Sequence, residues 1–276
     1  MKTLEIFAPA KINLFLKIIN KRKDGYHTIE SVFEKISLCD RLFMKGHRKN
    51  EIIIESNSRH ISSLGRNNLV YRAADYLRRK NKVRDGVSIY LEKNIPLGAG
   101  LGGGSSDAAA AIKGLNRVWQ LGLSTSQLIE LASDIGSDVP LFIPSSRFLI
   151  GRGRGDEVRG IAVANSFKLW HILIISDLSV STPFAYSLFD KYVGERKTRA
   201  RGLNSPKKME LTIPDYSANI ISHALLKKDV SLLNYYSYNS FKDIIIKQFP
   251  QIARLKKKLE TLTAESIHLS GSGSSL

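Results

Sequence analysis

The sequence predicts an α/β fold of one large domain or two small ones. Its 276 residues correspond to roughly two domains of about 150 residues each. Apolar residues make up 43% of the chain, which is ordinary for a protein with a buried core. Strand-like and helix-like segments alternate along the chain, and a glycine-rich loop joins one strand to one helix. The pattern changes near residues 150–165, where we place a domain boundary.

The first half predicts strands and helices in alternation. Strands are expected at 4–7 and 12–19, separated by Ala8-Pro9-Ala10, and at 31–38, 51–55 and 87–91. Helices are expected at 67–80, 108–115 and 128–135. We expect Ser105-Ser106-Asp107 to cap the second helix, and Ser124 with Gln127 to form a capping box at the third.

The second half predicts fewer strands and more helices. Strands are expected at 146–152 and 169–176, with a short one at 266–269. The basic stretch 190–208 contains Gly194, Gly202 and Pro206, and we interpret it as a loop or linker. Helices are expected to dominate residues 217–262.

Charge and cysteine content exclude several classes of protein. Lys and Arg number 42 against 25 Asp and Glu, and the net charge of +17 leaves nucleotides, phosphorylated metabolites and nucleic acid open as partners. Cys39 alone cannot form an internal disulfide or a multi-cysteine zinc site. No apolar run approaches the ~18 residues that span a membrane, and the N-terminal stretch does not form an export signal. We therefore expect a cytoplasmic protein with no membrane partner.

The segment from Pro96 to Ser106 is the most informative part of the sequence. Five of the seven residues from Gly98 to Gly104 are glycines, which let a backbone approach a ligand closely. A helix follows at once, and free N–H groups at a helix start favour phosphate. No Gly-Lys-Ser/Thr ends the loop, so it is not a P-loop. Gly98, Gly100 and Gly103 fit the dinucleotide pattern, but the acid that should follow about 20 residues later is missing.

Three separated segments resemble the GHMP kinase superfamily of small-molecule kinases. They are Ala8-Pro9-Ala10-Lys11-Ile12-Asn13-Leu14, the Pro96–Ser106 loop, and Ser270-Gly271-Ser272-Gly273-Ser274. Two further segments look closest to the branch that phosphorylates a cytidine diphosphate-linked methylerythritol in the non-mevalonate isoprenoid pathway. These are Asp24-Gly25-Tyr26-His27 and Gly136-Ser137-Asp138-Val139-Pro140.

The resemblance implies a two-domain α/β fold. An N-terminal domain similar to the second domain of ribosomal protein S5 would cover 1–158, and a C-terminal α/β sandwich would cover 159–276. The family pattern continues after the last glycine motif with a further strand and usually a helix. We therefore expect a C-terminal domain that is short at its end.

The resemblance also implies two catalytic residues. Asp138 would accept the proton of the attacking hydroxyl, while Lys11 would keep this carboxylate ionised and polarise the hydroxyl. From the residues alone, Asp138 lies on a turn and also fits an Asx turn or helix cap. Lys11 lies in an apolar run and faces either solvent or a cleft.

Substrate and cofactor contacts follow from the same resemblance. Asn13 shares the strand face of Lys11 and would reach the substrate polyol. Tyr26 would stack on the cytosine and His27 would hydrogen-bond to it, with Thr182 as a polar contact and Tyr186 as either a second stacking ring or a core residue. Gly271-Ser272-Gly273 would cover the site from the other domain. The ATP phosphates would be held by Pro96, Leu97, Gly98, Ala99, Gly100, Leu101, Gly102, Gly103, Gly104, Ser105 and Ser106.

No residue spacing suggests a protein-held metal, so we expect only Mg²⁺ carried by ATP, near Ser105 or Ser106. Two alternatives remain at this stage. One is a GHMP kinase that acts on a different alcohol. The other is a catalytically impaired or nucleic-acid-binding relative, which the basic segments 72–84 and 191–208 would suit. We expect no nucleic-acid partner, and a monomer or a homodimer.

Overall fold

The computed structural model describes residues 2–176, 178, 180–202, 216–263 and 267–276. Its strands are β1 (Leu4–Lys21), β2 (His27–His47), β3 (Ile52–Ser56), β4 (Gly86–Glu92), β5 (Phe148–Arg152), β6 (Glu157–Ile161) and β7 (Tyr238–Asn239). Its α-helices are α1 (Arg59–Ser63), α2 (Leu69–Lys80), α3 (Gly103–Val118), α4 (Thr125–Ile135), α5 (Thr182–Gly202), α6 (Ala218–Lys227), α7 (Val230–Tyr236), α8 (Lys242–Gln248) and α9 (Pro250–Thr263). Among these described helices, none has both the length and the apolar character needed to cross a bilayer.

The chain forms two compact units. The first contains Met1–Lys11, Glu34–Leu97 and Gly102–Gly160, and the second contains Ile12–Phe33, Gly98–Leu101 and Ile161–Leu276. The strands β1 and β2 and the glycine-rich loop therefore contribute residues to both units. The division into family domains at 158/159 stays a prediction.

The first unit is built on a sheet with the strand order β3-β4-β2-β1, with β5 beside β2 and β6 beside β5. β2 pairs antiparallel with β4, and β3 pairs parallel with β4. In the β2–β4 ladder, Leu42 lies opposite Leu91 and Met44 lies opposite Ile89. All four of these side chains are buried, so this ladder forms part of the core of the unit.

Strand β1 is continuous from Leu4 to Lys21, so the predicted break at Ala8-Pro9-Ala10 is wrong. Ile6, Ala8 and Ala10 are buried and alternate with less buried neighbours. This period of two is that of a strand with one buried face. The alternation runs through Pro9, which we had interpreted as a break in the strand.

Helices α2, α3 and α4 pack on one another in the first unit. The predicted capping box of α4 is confirmed, because Gln127 N donates to Ser124 Oγ and Ser124 N donates to Gln127 Oε1. The predicted cap of α3 is wrong. This helix begins at Gly103, more than one turn before Ala108, so Ser105, Ser106 and Asp107 lie inside it.

The second unit pairs β1 with β7 in parallel, with Phe15 opposite Tyr238 and Leu16 opposite Asn239. Helix α5 packs on α8, α6 on α7, and α8 on α9. One apolar cluster joins the strands, the helices and the end of the chain. Its fully or nearly buried members are Leu16, Ile18, Ile29, Val180, Ala185, Phe189, Phe241, Ile244, Ile245, Ile252, Leu269 and Leu276.

Three predictions for the second half need correction, and one is confirmed. Residues 190–202 belong to α5 rather than to a loop, and residues 203–208 of that prediction lie outside the described residues. No strand is assigned over 169–176, although Ile174 and Leu276 exchange two backbone hydrogen bonds of 2.9 and 3.0 Å. No strand is assigned over 267–269 either, and Ser266 lies outside the described residues. The helical character of 217–262 is confirmed.

Candidate active site

The glycine-rich loop takes a backbone course that depends on glycine. Gly98, Gly100 and Gly102 have φ angles of +71°, +74° and +72°, which side chains disfavour. Gly102 is the N-cap residue of α3. A Cβ atom on Gly102 would lie 2.9 Å from Phe142 Cζ and 3.1 Å from Lys11 Cγ. The first N–H groups of α3 have no intrahelical partner and are available to an anion such as a phosphate.

The second glycine motif packs against the first part of this loop, within the second unit. A Cβ atom on Gly100 would lie 2.8 Å from the carbonyl oxygen of Gly273. Ser275 Oγ donates a hydrogen bond of 2.6 Å to the carbonyl oxygen of Ala99. Pro96 and Leu97 precede this contact and are exposed. The two glycine segments quoted for the family resemblance are therefore direct neighbours.

The first turns of α3 carry two buried oxygen atoms that no described group bonds, Ser106 Oγ and Asp107 Oδ1. Hydroxyl and carboxylate oxygens are ligands that magnesium accepts. Among the described residues, no group of three or more His, Cys, Asp or Glu is arranged to hold a metal ion. This turn therefore fits a Mg²⁺ ion that brings most of its ligands with it, as an ATP-bound ion does.

A buried charged cluster supports the same turn. Lys93 Nζ donates to Asp107 Oδ2 at 2.7 Å and also to Asp40. Asp40 accepts two further bonds, from the backbone N–H groups of Asn94 and Ile95. Burial raises the pKa of Asp107 to about 8, against the opposing effect of Lys93. The cluster ties β2, the segment after β4 and α3 together, and Lys93 Nζ lies 3.3 Å from where a Cβ atom on Gly103 would be.

The structure brings Lys11 and Asp138 together in the first unit. Lys11 is buried, with 6% of its surface exposed, while Asp138 is exposed. Burial lowers the pKa of Lys11, and the negative charge of Asp138 opposes this by raising it. Asp138 precedes the short helix Pro140–Phe142, and the ring of Phe142 packs where Gly102 has no side chain. Lys11 therefore lies next to the start of α3, and Asp138 lies close enough to Lys11 to act on its charge.

Asn13 is held in the second unit by two serines. Its backbone N–H donates to Ser270 Oγ at 3.2 Å, and its side-chain amide donates to Ser31 Oγ at 2.9 Å. Ser31 in turn donates to the carbonyl oxygen of Phe15. The amide nitrogen of Asn13 is therefore oriented by the protein, which is the arrangement that a binding residue requires.

His27, Tyr186 and Asp190 form a second group in the same unit. His27 Nε2 lies 2.7 Å from Asp190 Oδ1, and Lys21 Nζ lies 2.6 Å from Asp190 Oδ2. The rings of His27 and Tyr186 stack with centroids 4.6 Å apart. Tyr186 also meets Phe241 edge to face, as expected of a core ring. Its stacking on the substrate base stays a prediction.

Tyr26 and Thr182 lie at exposed positions of the second unit. Tyr26 is 53% exposed, at the end of a turn in which Gly25 has a φ angle of +86°. Thr182 is the first residue of α5, and its Oγ1 lies 3.4 Å from Ser272 Oγ in the second glycine motif. Their proposed contacts with substrate stay predictions.

The sequence did not point to four residues that the structure places at these sites, namely Asp40, Lys93, Asp190 and Lys21. Asp190 follows Tyr186 by four residues, so the two share one helix face. This shared face can be predicted only if α5 is recognised as a helix through residue 190. The sequence predicted a loop from residue 190 onwards, so Asp190 was missed. Asp40 and Lys93 meet through β-sheet pairing over 53 residues of sequence, and no local pattern indicates it.

Comparisons with known proteins agree on one family. Residues 68–145 match the family model described as the GHMP kinases N terminal domain. The 4-diphosphocytidyl-2-C-methyl-D-erythritol kinase of Shouchella clausii is 37% identical, and the alignment covers 97% of this chain and 82% of that protein. The kinase of the same name from Thermodesulfovibrio yellowstonii is also 37% identical, with 100% of this chain and 88% of that protein covered.

Solved structures give the same result. A crystal structure of 4-(cytidine 5'-diphospho)-2C-methyl-D-erythritol kinase superposes with a TM-score of 0.74 at 29% identity, covering 99% of this chain and 88% of that one. A mevalonate kinase from L. major, solved in complex with R-mevalonate, superposes with a TM-score of 0.68 at 16% identity. This superposition covers 99% of this chain and 85% of that one. The second likeness concerns the fold alone.

Proposed function

The chain belongs to the 4-diphosphocytidyl-2-C-methyl-D-erythritol kinase family, and from this premise we propose the residue roles by which it phosphorylates the 2-hydroxyl group of that substrate with ATP. The predicted GHMP kinase fold is confirmed by the family match and by the solved relatives. The chain is an ATP-dependent small-molecule kinase of isoprenoid biosynthesis. Similarity over nearly the whole chain does not favour a different alcohol substrate or a nucleic-acid-binding relative.

Asp138 is proposed as the group that accepts the hydroxyl proton. The observation that carries this role is its position, exposed on the turn before Pro140 and electrostatically coupled to the buried Lys11. A positioned carboxylate can take the proton as the hydroxyl oxygen attacks. That oxygen would bond to the γ-phosphorus of ATP while the bond from the γ-phosphorus to the bridging oxygen breaks, so that ADP leaves and the hydroxyl proton moves to the carboxylate of Asp138.

Lys11 is proposed to stabilise the negative charge that develops on the hydroxyl oxygen. Its ammonium group is buried beside Asp138, and its side chain packs against Gly102 at the start of α3. A charge held in a dry site acts more strongly on a reacting atom than one in water. The contact of its stem with Gly102 and the effect of Asp138 on its charge support this role.

The loop from Pro96 to Ser106 is proposed to hold the phosphates of ATP. The left-handed glycines and the start of α3 offer N–H groups at close approach, and Ser106 Oγ and Asp107 Oδ1 are the oxygens that fit Mg²⁺. When bound, the metal nucleotide supplies the γ-phosphoryl group and neutralises part of its charge. The protein itself contributes position and fixed charge.

The second unit is proposed to hold the cytidine end of the substrate. Asp190 fixes the orientation of His27 from Nε2, and this leaves Nδ1 for a hydrogen bond to the base. Tyr26 offers an exposed ring for stacking, which is worth about 1–3 kcal/mol per base. Tyr186 supports the ring of His27, Thr182 lies at the start of α5, and Asn13 is proposed to reach the polyol.

The direct test of this function is ADP release by the purified chain with ATP, Mg²⁺ and 4-diphosphocytidyl-2-C-methyl-D-erythritol. We expect turnover, and we expect Asp138→Asn to lower kcat by roughly 10²–10⁴-fold, the usual contribution of a general base. Asp85→Asn, which changes an exposed aspartate of the same unit, serves as the matched control. Near-normal turnover of Asp138→Asn would remove this residue from the mechanism.

A second variant tests the cytidine contact by itself. Tyr26→Ala should raise the KM for the cytidyl substrate by roughly tenfold, because it removes one stacking partner of the base. The KM for ATP and the kcat should change little, since Tyr26 lies on an exposed turn of the second unit. An unchanged KM for the cytidyl substrate would refute the stacking role.

A further inference from the structure

The first unit contains a pocket that the proposed kinase chemistry does not use. Its volume is about 370 Å³, within the range of about 300–1,000 Å³ that small-molecule sites occupy. It is lined by β1, β2, α3 and the segment that follows Asp138. Part of the lining is apolar, from Phe7, Pro9, Ile36, Phe142 and Pro144.

Two lysines supply the polar part of the pocket. Lys35 Nζ donates to the carbonyl oxygen of Pro144, and Lys113 Nζ donates to that of Phe142 at 3.0 Å. An ammonium group has three N–H donors, and the contacts of each lysine within the described residues account for one of them. Both lysines are anchored to the same short segment of chain, so their remaining donors are available on one side of the pocket.

The charge of this lysine pair is not balanced by any described residue that lines the pocket. The residues that line the pocket include no Asp or Glu within the described part of the chain. The three acids on β2 are engaged elsewhere, Glu30 with the backbone N–H of Ala218, Glu34 with Arg147 and Asp40 with Lys93. Burial and the Lys113 ammonium lower the pKa of Lys35 to about 7.

Lys113 is affected in the same direction. Burial, with a smaller contribution from Arg117, lowers the pKa of Lys113. Each of the two ammonium groups is therefore partly removed from water without a carboxylate partner, a state that costs free energy. A bound anion would relieve this cost.

We propose that this pocket is a binding site for a small organic phosphate, whose phosphate group lies between Lys35 and Lys113 and whose short apolar body packs on Phe142 and Pro144. Two ammonium groups match a doubly charged phosphate better than a singly charged carboxylate, and lysine binds phosphate as a point charge. Because part of the lining is apolar, a phosphate that carries an apolar group should bind more tightly than inorganic phosphate. The site is distinct from the glycine-rich loop, where ATP phosphates are proposed to bind.

The test uses n-butyl phosphate as the probe and isothermal titration of the full chain. We expect n-butyl phosphate to bind more tightly than inorganic phosphate and than butyrate. Lys35→Met and Lys113→Met should each weaken the binding by about tenfold or more, because each removes a charge-assisted bond. Lys45→Met is the matched control, an exposed lysine of the same strand β2, and should bind like the unchanged chain.

The glycine-rich loop is intact in all of these variants, so probe bound at that loop would persist in every one of them. Equal affinity of the unchanged chain, Lys35→Met and Lys113→Met would therefore overturn the proposal, whether or not the chain is an active kinase. Equal affinity for n-butyl phosphate and inorganic phosphate would overturn the role of the apolar lining. In the unchanged chain, NMR of ¹³C-labelled lysine should show that the probe raises the pKa of Lys35, and an unaffected Lys35 resonance would contradict the assignment.

Discussion

Lys93 and Lys35 are both lysines that the first unit removes from water, but their neighbours carry opposite charges. Lys93 lies between Asp40 and Asp107, with 5% of its side chain exposed. Lys35 is half-buried and faces Lys113. The protein itself offsets the desolvation of the first ammonium group, whereas the desolvation of the second has no such compensation. The first arrangement stabilises a fold, and the second is suited to a ligand.

Lys11 is intermediate between Lys93 and Lys35 in how far a neighbouring carboxylate compensates its charge. It is buried, and the carboxylate that acts on its charge, Asp138, is exposed. Burial lowers the pKa of Lys11 and Asp138 only partly restores it. Such a charge is held in place and yet remains able to act on a bound hydroxyl group, which is what catalysis requires. The three lysines therefore predict three different outcomes of the same substitution to methionine.

Lys93→Met should have the largest effect, on stability. It leaves Asp40 and Asp107 buried without their cation, and breaking a buried pair costs about 3–5 kcal/mol. Urea unfolding at pH 7 should show a loss of unfolding free energy of that order. Adding Asp107→Asn should change this loss little, because Asp107, with a pKa of about 8, is already mostly protonated at pH 7 and Asp40 carries the uncompensated charge. A loss no greater than that of Lys45→Met would contradict the comparison.

Lys11→Met should lower kcat by about 10²–10³-fold, the usual effect of removing one group that stabilises developing charge. The KM for ATP should change little, because the phosphate loop keeps its glycines and its helix start. The melting temperature should not fall, since the substitution removes a buried charge and keeps the apolar stem. Steady-state kinetics with both substrates checks this split. A raised KM at normal kcat would make Lys11 a binding residue only.

The local parts of this fold could be predicted from the sequence. The glycine-rich loop before α3 was recognisable because its glycines and the following helix are contiguous, although its contacts with phosphate stay predictions. The capping box of α4 was recognisable from Ser124 and Gln127 alone. The break placed at Pro9 was wrong because the buried alternation of Ile6, Ala8 and Ala10 outweighs one proline. In each case the relevant information lay within a few residues.

The long-range parts could not be predicted in this way. Helix α5 was missed beyond residue 190 because its second half is basic and contains glycines, so it has no apolar stripe. The pairing of Lys35 with Lys113 joins β2 to α3 across the segment after Asp138, and no motif indicates it. The meeting of Lys11 and Asp138 was expected only through the family resemblance. Their catalytic roles stay predictions until the variants are measured.

Lys35→Met should change stability with a sign opposite to that of Lys93→Met, and near pH 10 its effect should be the smallest of the three. In the unfolded chain Lys35 holds its proton up to its ordinary pKa of 10.5, whereas in the folded chain its pKa is about 7. Between these values the unfolded chain binds more protons, so the stability of the unchanged chain rises with pH. Burial of the charge costs most below pH 7, where the folded chain must bury the protonated amine.

The melting temperature of Lys35→Met should therefore exceed that of the unchanged chain most clearly near pH 6. This difference in melting temperature should become smaller as the pH approaches 10. For a chain of this size about 1 kcal/mol corresponds to a shift of roughly 2–4 °C. The scans need buffers without phosphate, because the proposed ligand would stabilise the unchanged chain. For Lys45→Met, the difference in melting temperature from the unchanged chain should not depend on pH. If this difference were independent of pH for Lys35→Met as well, Lys35 would have the same pKa in the folded and the unfolded chain. The surroundings of Lys35 would then not differ in effect from those of the exposed Lys45.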